Sequence, residues 1–213
     1  MATRDSLLRS GRLVIAAAVA AGGLVACTHS GPRTTSVATG HTGATPTEPA
    51  STTQASGAPC TFSGATDPAL GNAAARTQLL TDVRVGVHDC YERVTFVFKP
   101  RPGDAAGPVG WKAAYEPGPI TEDASGRTIP VKGSAYLVVH MSAQGADLTK
   151  ENAPATYTGP TTLEAAGATR IQQVRRTGDF EGVLSWVIGL DRKRPFHVST
   201  DDGPARVVVD VGD

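Results

Sequence analysis

The chain from about residue 80 onward alternates apolar and polar positions, which predicts β-strands. Residues 83–87 read Val-Arg-Val-Gly-Val, and residues 94–98 read Val-Thr-Phe-Val-Phe. A period of two places alternate side chains on one face, so each run predicts a strand with one buried face. If Val87 faces Glu92, the apolar residues of both runs share one side of an antiparallel hairpin. This match between faces sets the register of the hairpin.

Similar runs predict the other strands. They cover residues 111–115, 135–141, 180–190, 196–198 and 206–211. The run at 135–141 is apolar on both faces, which indicates a central strand. Residues 170–176 alternate weakly and fit a strand or a short helix. A turn is predicted at residues 177–179, just before the strand that begins at Phe180.

Only residues 68–80 have the composition of a helix. Asp67 is a suitable N-terminal cap and Pro68 suits the first turn, although Gly71 weakens the prediction. The rest of the folded part predicts seven or more short strands separated by turn signals. That pattern indicates an all-β fold, either a β-sandwich or a small barrel.

The first 26 residues follow the pattern of an export signal. Arg4, Arg9 and Arg12 precede an apolar run at residues 13–26, which is shorter than the ~20 residues that span a membrane. The run ends in Leu-Val-Ala before Cys27, and this ending resembles a bacterial lipobox. The resemblance implies a signal peptide over residues 1–26 and a lipid on the Cys27 sulfur. An ordinary secretory signal with an incidental cysteine is the alternative.

Residues 28–59 consist almost entirely of Thr, Ser, Ala, Gly and Pro. Such a segment cannot bury enough apolar surface to offset its conformational entropy, so we expect a disordered tether. The predicted organisation is therefore a lipidated cysteine with its tether over residues 27–59 and one β domain over residues 60–213. The expected location is the extracytoplasmic face of the cell membrane.

Composition and motifs exclude several classes of function. The 20 basic and 20 acidic residues of the chain become 17 and 19 once the signal peptide is removed. That balance is not the footprint of a nucleic-acid-binding domain. The sequence has no HExxH, GxSxG, P-loop or GxGxxG motif. We therefore expect no enzymatic activity, no metal and no cofactor.

Two cysteines remain once Cys27 is assigned to lipid. Cysteines of an exported domain most often pair, which predicts a disulfide between Cys60 and Cys90. The bridge would join the start of the domain to the turn of the first hairpin. The alternative is a nucleophilic Cys90 assisted by His88.

Arg84, His88, Asp89 and Arg93 form the candidate ligand-binding cluster of the sequence. The hairpin register makes Arg84 and Arg93 diagonal neighbours on the outward face. Two guanidiniums there could hold a carboxylate, a phosphate or the acidic groups of a glycan-peptide polymer. The alternative is structural, because neighbouring carboxylates are close enough to occupy both arginines.

The aromatic residues and one histidine have predicted environments. Trp186 alternates with Leu184 and Ile188, which favours the core. Trp111, in a stretch rich in Pro and Gly, is the better candidate for an exposed aromatic contact, although the favoured interpretation is a tryptophan that anchors its loop. His140 lies in an apolar strand, where a partly buried, hydrogen-bonded histidine is expected rather than a ligand or catalyst.

Short motifs in a consistent order run from about residue 78 to 212. They include Leu80-Thr81-Asp82-Val83-Arg84, His88-Asp89, Phe180-Glu181-Gly182, Pro195-Phe196 and Val207-Val208-Val209-Asp210-Val211. Together they resemble the AMIN-like domains of actinobacterial lipoproteins. Two positions depart from that pattern, because Cys90 stands where glycine is expected and Glu92 where aspartate is expected. The related AMIN domains are small non-catalytic β-sandwiches implicated in peptidoglycan binding, so the resemblance implies a binding module.

These observations favour a membrane-anchored extracytoplasmic lipoprotein whose β domain binds a peptidoglycan-like cell-envelope polymer or an envelope protein. A carrier of an apolar ligand such as a lipid is one alternative. It calls for strands that are apolar on both faces, and only residues 135–141 read that way. An envelope hydrolase that uses His88 with Cys90 or Asp89 is the other alternative.

Overall fold

The computed structural model describes residues 60–72 and 76–213. The predicted signal peptide, Cys27 and the predicted tether lie outside the described residues. Within the described ranges the chain forms ten β-strands and no helix, which confirms the predicted all-β class. No helix of these ranges has the length and apolar character of a membrane span.

The strands follow one another along the chain with loops of varied length. They are β1 (Ala69–Gly71), β2 (Gln78–Val87), β3 (Tyr91–Lys99), β4 (Trp111–Glu116), β5 (Ala135–Gln144), β6 (Thr162–Leu163), β7 (Ile171–Phe180), β8 (Val183–Leu190), β9 (Phe196–Asp202) and β10 (Ala205–Gly212). The predicted strands at 111–115, 135–141 and 206–211 are confirmed, each with one to three additional residues. Of residues 170–176, which the sequence left open, all but Arg170 belong to strand β7.

The ten strands form one open, mixed sheet with two antiparallel parts, which we call sheet A and sheet B. Sheet A has the order β2-β3-β10-β9 and sheet B the order β6-β7-β8-β5-β4-β1, and all pairs within each sheet are antiparallel. A short parallel pairing of β2 with β5, at Gln78–Ala143 and Leu79–Gln144, links the two sheets. The linked sheet stays open, so the architecture is sandwich-like and is not a closed barrel.

Aromatic side chains fill the space between the sheets. Trp186 of β8 is fully buried, as predicted, and its ring centre lies 5.7 Å from Phe96 and 5.8 Å from Tyr157. The inward residues of β10 are buried as well. They are Val207, Val209 and Val211. Each buried aromatic or large aliphatic side chain contributes about 1.5–3 kcal/mol to folding.

Residues 68–80 do not form the predicted helix. Ala69–Gly71 is strand β1, which pairs with β4, and Gln78 begins β2. The indole of Trp111 packs on Gly71, where an added Cβ would lie 2.7 Å from the ring. Close packing against β4 therefore overrides the local helical composition.

The turn predicted at residues 177–179 lies instead at Glu181-Gly182. Strand β7 continues to Phe180, which pairs with Val183 across a two-residue loop. Both loop residues have positive φ, 51° and 79°, as in the tight turns that match the twist of a hairpin. The predicted turn at Gly178 was wrong, because this glycine lies inside β7, where it allows close packing.

Residues 117–134 form a loop that covers part of the outer face of sheet B. Ile120 and Ile129 of this loop pack on Val138 and Val187, which makes a second, smaller apolar cluster. A β-bridge and an ion pair close the loop on itself. The covering loop also provides one wall of the polar cavity described below.

Candidate functional site

Cys60 and Cys90 form a disulfide, with their Cα atoms 5.1 Å apart. The predicted pairing is confirmed. The bridge ties the first described residue to the β2–β3 turn, at one end of sheet A. Because the Cys90 sulfur is bonded, it offers no free thiol to the hydrolase alternative.

The two arginines of the predicted cluster are held by carboxylates on the outer face of sheet A. The register confirms that Gly86 lies opposite Arg93, and Arg84 pairs with Asp82 two residues away on its own strand, at 2.5 Å. Arg93 makes a two-pronged pair with Asp210 of β10, at 2.7 and 2.9 Å. The hydrogen bonds that Arg93 donates to Asp210 raise the pKa of the guanidinium.

His88 and Asp89 occupy the exposed turn between the same two strands. The His88 ring stacks on Tyr91 with ring centres 4.5 Å apart, and the Arg93 guanidinium lies 5.1 Å from the centre of the Tyr91 ring. Asp89 is exposed beside the disulfide. None of the four predicted residues lines the concavities described below.

Glu92 is a buried carboxylate that links the two sheets. Its side chain is fully buried, and its oxygens accept hydrogen bonds from the backbone amides of Thr169, Arg170 and Ile171 at 2.6–3.1 Å. Burial opposes ionisation, but these hydrogen bonds outweigh it and hold the pKa of Glu92 below its ordinary value. The sequence did not single out Glu92 as a buried residue. The signal that could have found it was a glutamate at an inward position of the predicted hairpin.

Three arginines converge on the carboxylate of Asp213. Arg170 donates to it at 2.8 Å and Arg192 at 3.2 Å, and Arg194 is in contact as well. Arg194 also makes a two-pronged pair with Asp191, at 2.7 and 2.9 Å. The hydrogen bonds, first from Arg170 and then from Arg194, lower the pKa of Asp213. These ion pairs hold the loop between β8 and β9 against Asp213, the residue that follows β10.

An apolar groove of about 320 Å³ lies on the outer face of sheet B. We call it the outer groove. Its lining includes Leu70, Trp111, Lys112, His140, Met141, Ser142 and Val183. Leu70 is 72% exposed and Val183 is 43% exposed. Large apolar side chains that stay exposed together mark interaction sites on soluble domains.

The apolar surface continues from the outer groove to the β7–β8 turn. Val183 pairs with Phe180, which is 57% exposed, and Phe180 lines a second cavity of about 310 Å³ with Leu148, which is 62% exposed. Within the described ranges, four of the five large exposed hydrophobic residues thus lie beside these two cavities. The fifth, Val87, lies at the other end of the domain beside the disulfide.

Trp111, which the sequence offered as a candidate exposed contact but favoured as an anchoring residue, is half-buried in β4. Its ring packs on the core and on Gly71, and it lines the outer groove. The sequence did not single out Leu70 or Val183. The exposure of an outward strand residue depends on which loops cover its sheet, and no local pattern encodes that coverage.

A smaller polar cavity of about 80 Å³ adjoins the outer groove, and His140 lines both. Its other polar walls include Glu116, Asp123 and Thr177. His140 Nδ1 lies 2.8 Å from Ser185 Oγ, and His140 Nε2 lies 3.7 Å from Glu116. The prediction of a partly buried, hydrogen-bonded histidine is confirmed.

The serine, histidine and glutamate of this cavity do not form an accessible catalytic triad. Ser185 is fully buried, so its hydroxyl cannot reach a substrate. In the part of the chain that the structure describes, no group of three His, Cys, Asp or Glu side chains is arranged to hold a metal ion.

The model of the AMIN-like domain family matches residues 78–213. The chain belongs to the AMIN-like domain family. The match begins at the first residue of β2 and continues through β10, so it contains nine of the ten strands described. Strand β1 and Cys60 precede the matched AMIN-like region. No curated protein and no solved structure matches the chain.

Membership in this family assigns the chain to a binding type of domain that is associated with the cell envelope, outside the cytoplasm. The outer groove is lined by residues inside the family match and by residues that precede it. Strands β4, β5 and β8 of the AMIN-like domain supply its floor, and β1, which precedes the family match, supplies one wall through Leu70.

Proposed function

We propose that this chain is a lipoprotein, anchored by Cys27 at the extracytoplasmic face of the cell membrane. Its AMIN-like domain binds a peptidoglycan-like envelope polymer or an envelope protein. The observation that carries the proposal is the outer groove, an exposed apolar concavity on a domain of the binding type. The lipobox-like residues before Cys27 support the anchor.

The disulfide and the outer groove lie at opposite ends of the β domain. Strand β2 runs from Gln78, beside the end of β5, to Val87, beside the turn that holds Cys90. Ten strand residues span about 30 Å. The outer groove lies near the Gln78 end, whereas Cys60 lies at the other end.

The chemistry of the outer groove fits an amphipathic polymer. Leu70 and Val183 supply exposed apolar contact surface, while Lys112 and His140 place a cation and an imidazole at the same concavity. Ligand sites commonly combine an apolar lining with a few polar groups that fix orientation. Sugars and peptides of an envelope polymer present both kinds of surface.

The two alternatives receive less support from the fold. A carrier needs space for its ligand, but Phe96, Tyr157 and Trp186 fill the region between the sheets. A hydrolase needs a free nucleophile, but Cys90 is bonded to Cys60 and Ser185 is buried.

Substitution of Val183 by aspartate is expected to reduce the fraction of protein retained on purified cell wall about tenfold. The charge opposes burial of the groove surface, and tenfold corresponds to about 1.4 kcal/mol of binding free energy. The measurement is a pull-down of full-length protein in detergent. Val87→Asp is the matched control, because Val87 is 48% exposed at the opposite end of the domain.

Retention of Val87→Asp is expected to stay within about twofold of the wild-type value. Equal loss in the two valine variants would rule out the outer groove as the binding site. Loss in the double variant Arg84→Ala/Arg93→Ala alone would move the site to the cluster on sheet A. Failure of the wild-type protein to bind wall or envelope proteins would contradict the proposed binding function.

The anchor predicts the chemical state of the mature N-terminus. Its first residue is expected to be Cys27, with a diacylglycerol on the sulfur, whose two acyl chains meet the requirement for stable anchoring. Mass spectrometry of the N-terminal peptide measures this. The peptides that contain Cys60 and Cys90 serve as controls and should carry no lipid. An unmodified Cys27, or a mature chain that begins elsewhere, contradicts the anchor.

A further inference from the structure

We propose that the polar cavity beside the outer groove binds a primary ammonium group, such as the side-chain amine of a basic amino acid carried by the ligand. The cavity holds about 80 Å³ and shares His140 with the outer groove. The inference rests on the proposed binding function, because it assigns one chemical group of the ligand to one part of the same face.

Two carboxylates provide the negative charge of the cavity. Glu116 lies at the end of β4, and Asp123 belongs to the loop that covers sheet B. Among the described residues neither carboxylate pairs with a lysine or an arginine. The side chain of His140 lies near Glu116, with its Nε2 atom 3.7 Å from Glu116 Oε1. An exogenous cation therefore finds both carboxylates free of competing cations.

Thr177 supplies an independent indication of a missing partner. The residue is 6% exposed and lines the cavity, and its buried hydroxyl has no hydrogen-bond partner. Buried hydroxyl groups are nearly always hydrogen-bonded, so an unpaired one beside a polar cavity points to a bound group. A hydroxyl oxygen can accept a hydrogen bond from an ammonium group.

The local backbone brings Asp123 close to Thr177. The Asp123 amide donates to the carbonyl oxygen of Thr177 at 3.2 Å. The Asp123 carboxylate lies against Gly178, at a place where any Cβ would collide with it. Glycine at position 178 therefore lets the covering loop approach β7 and places the carboxylate beside the cavity.

The neighbouring arginines do not occupy the cavity. Arg175 donates to the carbonyl oxygen of Pro130 at 2.9 Å, outside the lining of the cavity. Arg176 lies 4.0 Å from Asp179 and packs beside Gly145. Both guanidiniums are thus directed to other partners.

The size and spacing of the walls favour an ammonium group over a metal ion. A metal ion draws its ligands to within about 2.0–2.6 Å of one point. No triad of His, Cys, Asp or Glu in the described ranges has that arrangement. An ammonium group donates three hydrogen bonds over longer distances, and a cavity with room for two or three waters accommodates it with an adjoining methylene.

The test compares two peptide-like probes on full-length protein in detergent. Nα-acetyl-lysine methylamide carries the ammonium group, and Nα-acetyl-norleucine methylamide has the same apolar stem without it. Binding is measured by calorimetry and by NMR chemical shifts of Glu116, Asp123 and Thr177. We expect the lysine probe to bind and to shift these signals, and the norleucine probe to bind at least tenfold more weakly.

Three conservative variants locate the site. Asp123→Asn and Glu116→Gln remove one negative charge each, Thr177→Val removes the hydroxyl, and each should weaken binding of the lysine probe at least threefold. Glu122→Gln is the matched control, because Glu122 is next to Asp123 but is paired with Arg127. The control should bind the probe as the wild-type protein does, and far-ultraviolet circular dichroism confirms that each variant is folded.

Each result separates this inference from the proposed function. Equal binding of the two probes, no binding of the lysine probe, or equal weakening by Glu122→Gln overturns the ammonium site. Retention on cell wall is measured independently. Loss of the ammonium site with intact wall retention leaves the proposed function standing, whereas probe binding without wall retention overturns the proposed function alone.

Discussion

Replacement of both Cys60 and Cys90 by serine lowers the free energy of unfolding by about 3.5 kcal/mol, as expected for a bridge that closes a loop of this length. The two cysteines are 30 residues apart in sequence. Their bond restricts the unfolded chain, and its loss raises the entropy of the unfolded state. Urea denaturation followed by circular dichroism measures the change, with both cysteines replaced so that no free thiol remains.

A reductant provides the control for this experiment. It should lower the stability of the wild-type protein by a similar amount and leave the double-serine variant unchanged. The folded β signal of the variant should persist at low urea, because the AMIN-like region begins at residue 78, after Cys60. A change below about 1 kcal/mol would show that the bridge adds little restraint to the unfolded chain.

Replacement of Glu92 by glutamine lowers the free energy of unfolding by about 3 kcal/mol, since it removes several charge-assisted hydrogen bonds in a buried place. The carboxylate accepts from three backbone amides between Thr169 and Ile171. Glutamine has the same size, but its amide group directs hydrogens at those donors. At least one buried backbone amide is then left unpaired, and the contact between the sheets weakens.

The matched control for Glu92 is Glu164→Gln. The Glu164 side chain is half-exposed and pairs with Lys132 at 2.7 Å, so its replacement should change stability by less than about 1 kcal/mol. Urea denaturation of both variants measures the difference. Equal effects in the two variants would contradict a special role for the buried carboxylate.

The lowered pKa of Glu92 also sets a direction for pH dependence. Its pKa is lower in the folded state than in the unfolded chain, where it is about 4.3. The ionised carboxylate therefore contributes stability at pH values above about 4.3, and this contribution is lost as pH falls through the folded-state pKa. Between pH 6 and pH 3 the wild-type protein should lose more stability than Glu92→Gln.

The face with the outer groove and the end with the disulfide carry different chemistry. Four exposed hydrophobic residues border the two cavities near the β7–β8 turn. The end with the disulfide holds His88, Asp89 and the ion pair of Arg93 with Asp210. Val183 and Val87 are similarly exposed but lie at opposite ends of the domain. A comparison of their aspartate variants therefore tests the outer groove separately from the effect of a new surface charge.

Much of the fold follows from periodicity. Alternation predicted the register of the first hairpin, in which Val85 lies opposite Val94, and the burial of Trp186. These features depend on which residues share one face of a strand, and a local pattern contains that information. The strand at residues 69–71 was missed because its pairing partner, β4, lies about 40 residues away.

The candidate site follows less directly from local patterns. Arg84 and Arg93 were grouped because the hairpin makes them neighbours, but the partner of Arg93 is Asp210, 117 residues away. The outer groove was missed because Leu70 and Val183 come together only when β1, β4, β5 and β8 align. The polar cavity was missed because it forms only when the loop of residues 117–134 folds over sheet B.

The sequence by itself determined the all-β class, the facing of the main strands, the cysteine pairing and the AMIN-like resemblance, because each depends on residue type and short spacing. The tertiary structure alone decided which outward residues stay exposed, where Glu92 finds its three amide partners, and how Glu116, Asp123 and Thr177 surround one cavity. Those properties depend on contacts between distant segments, and such contacts exist only once the two sheets and the covering loop have packed.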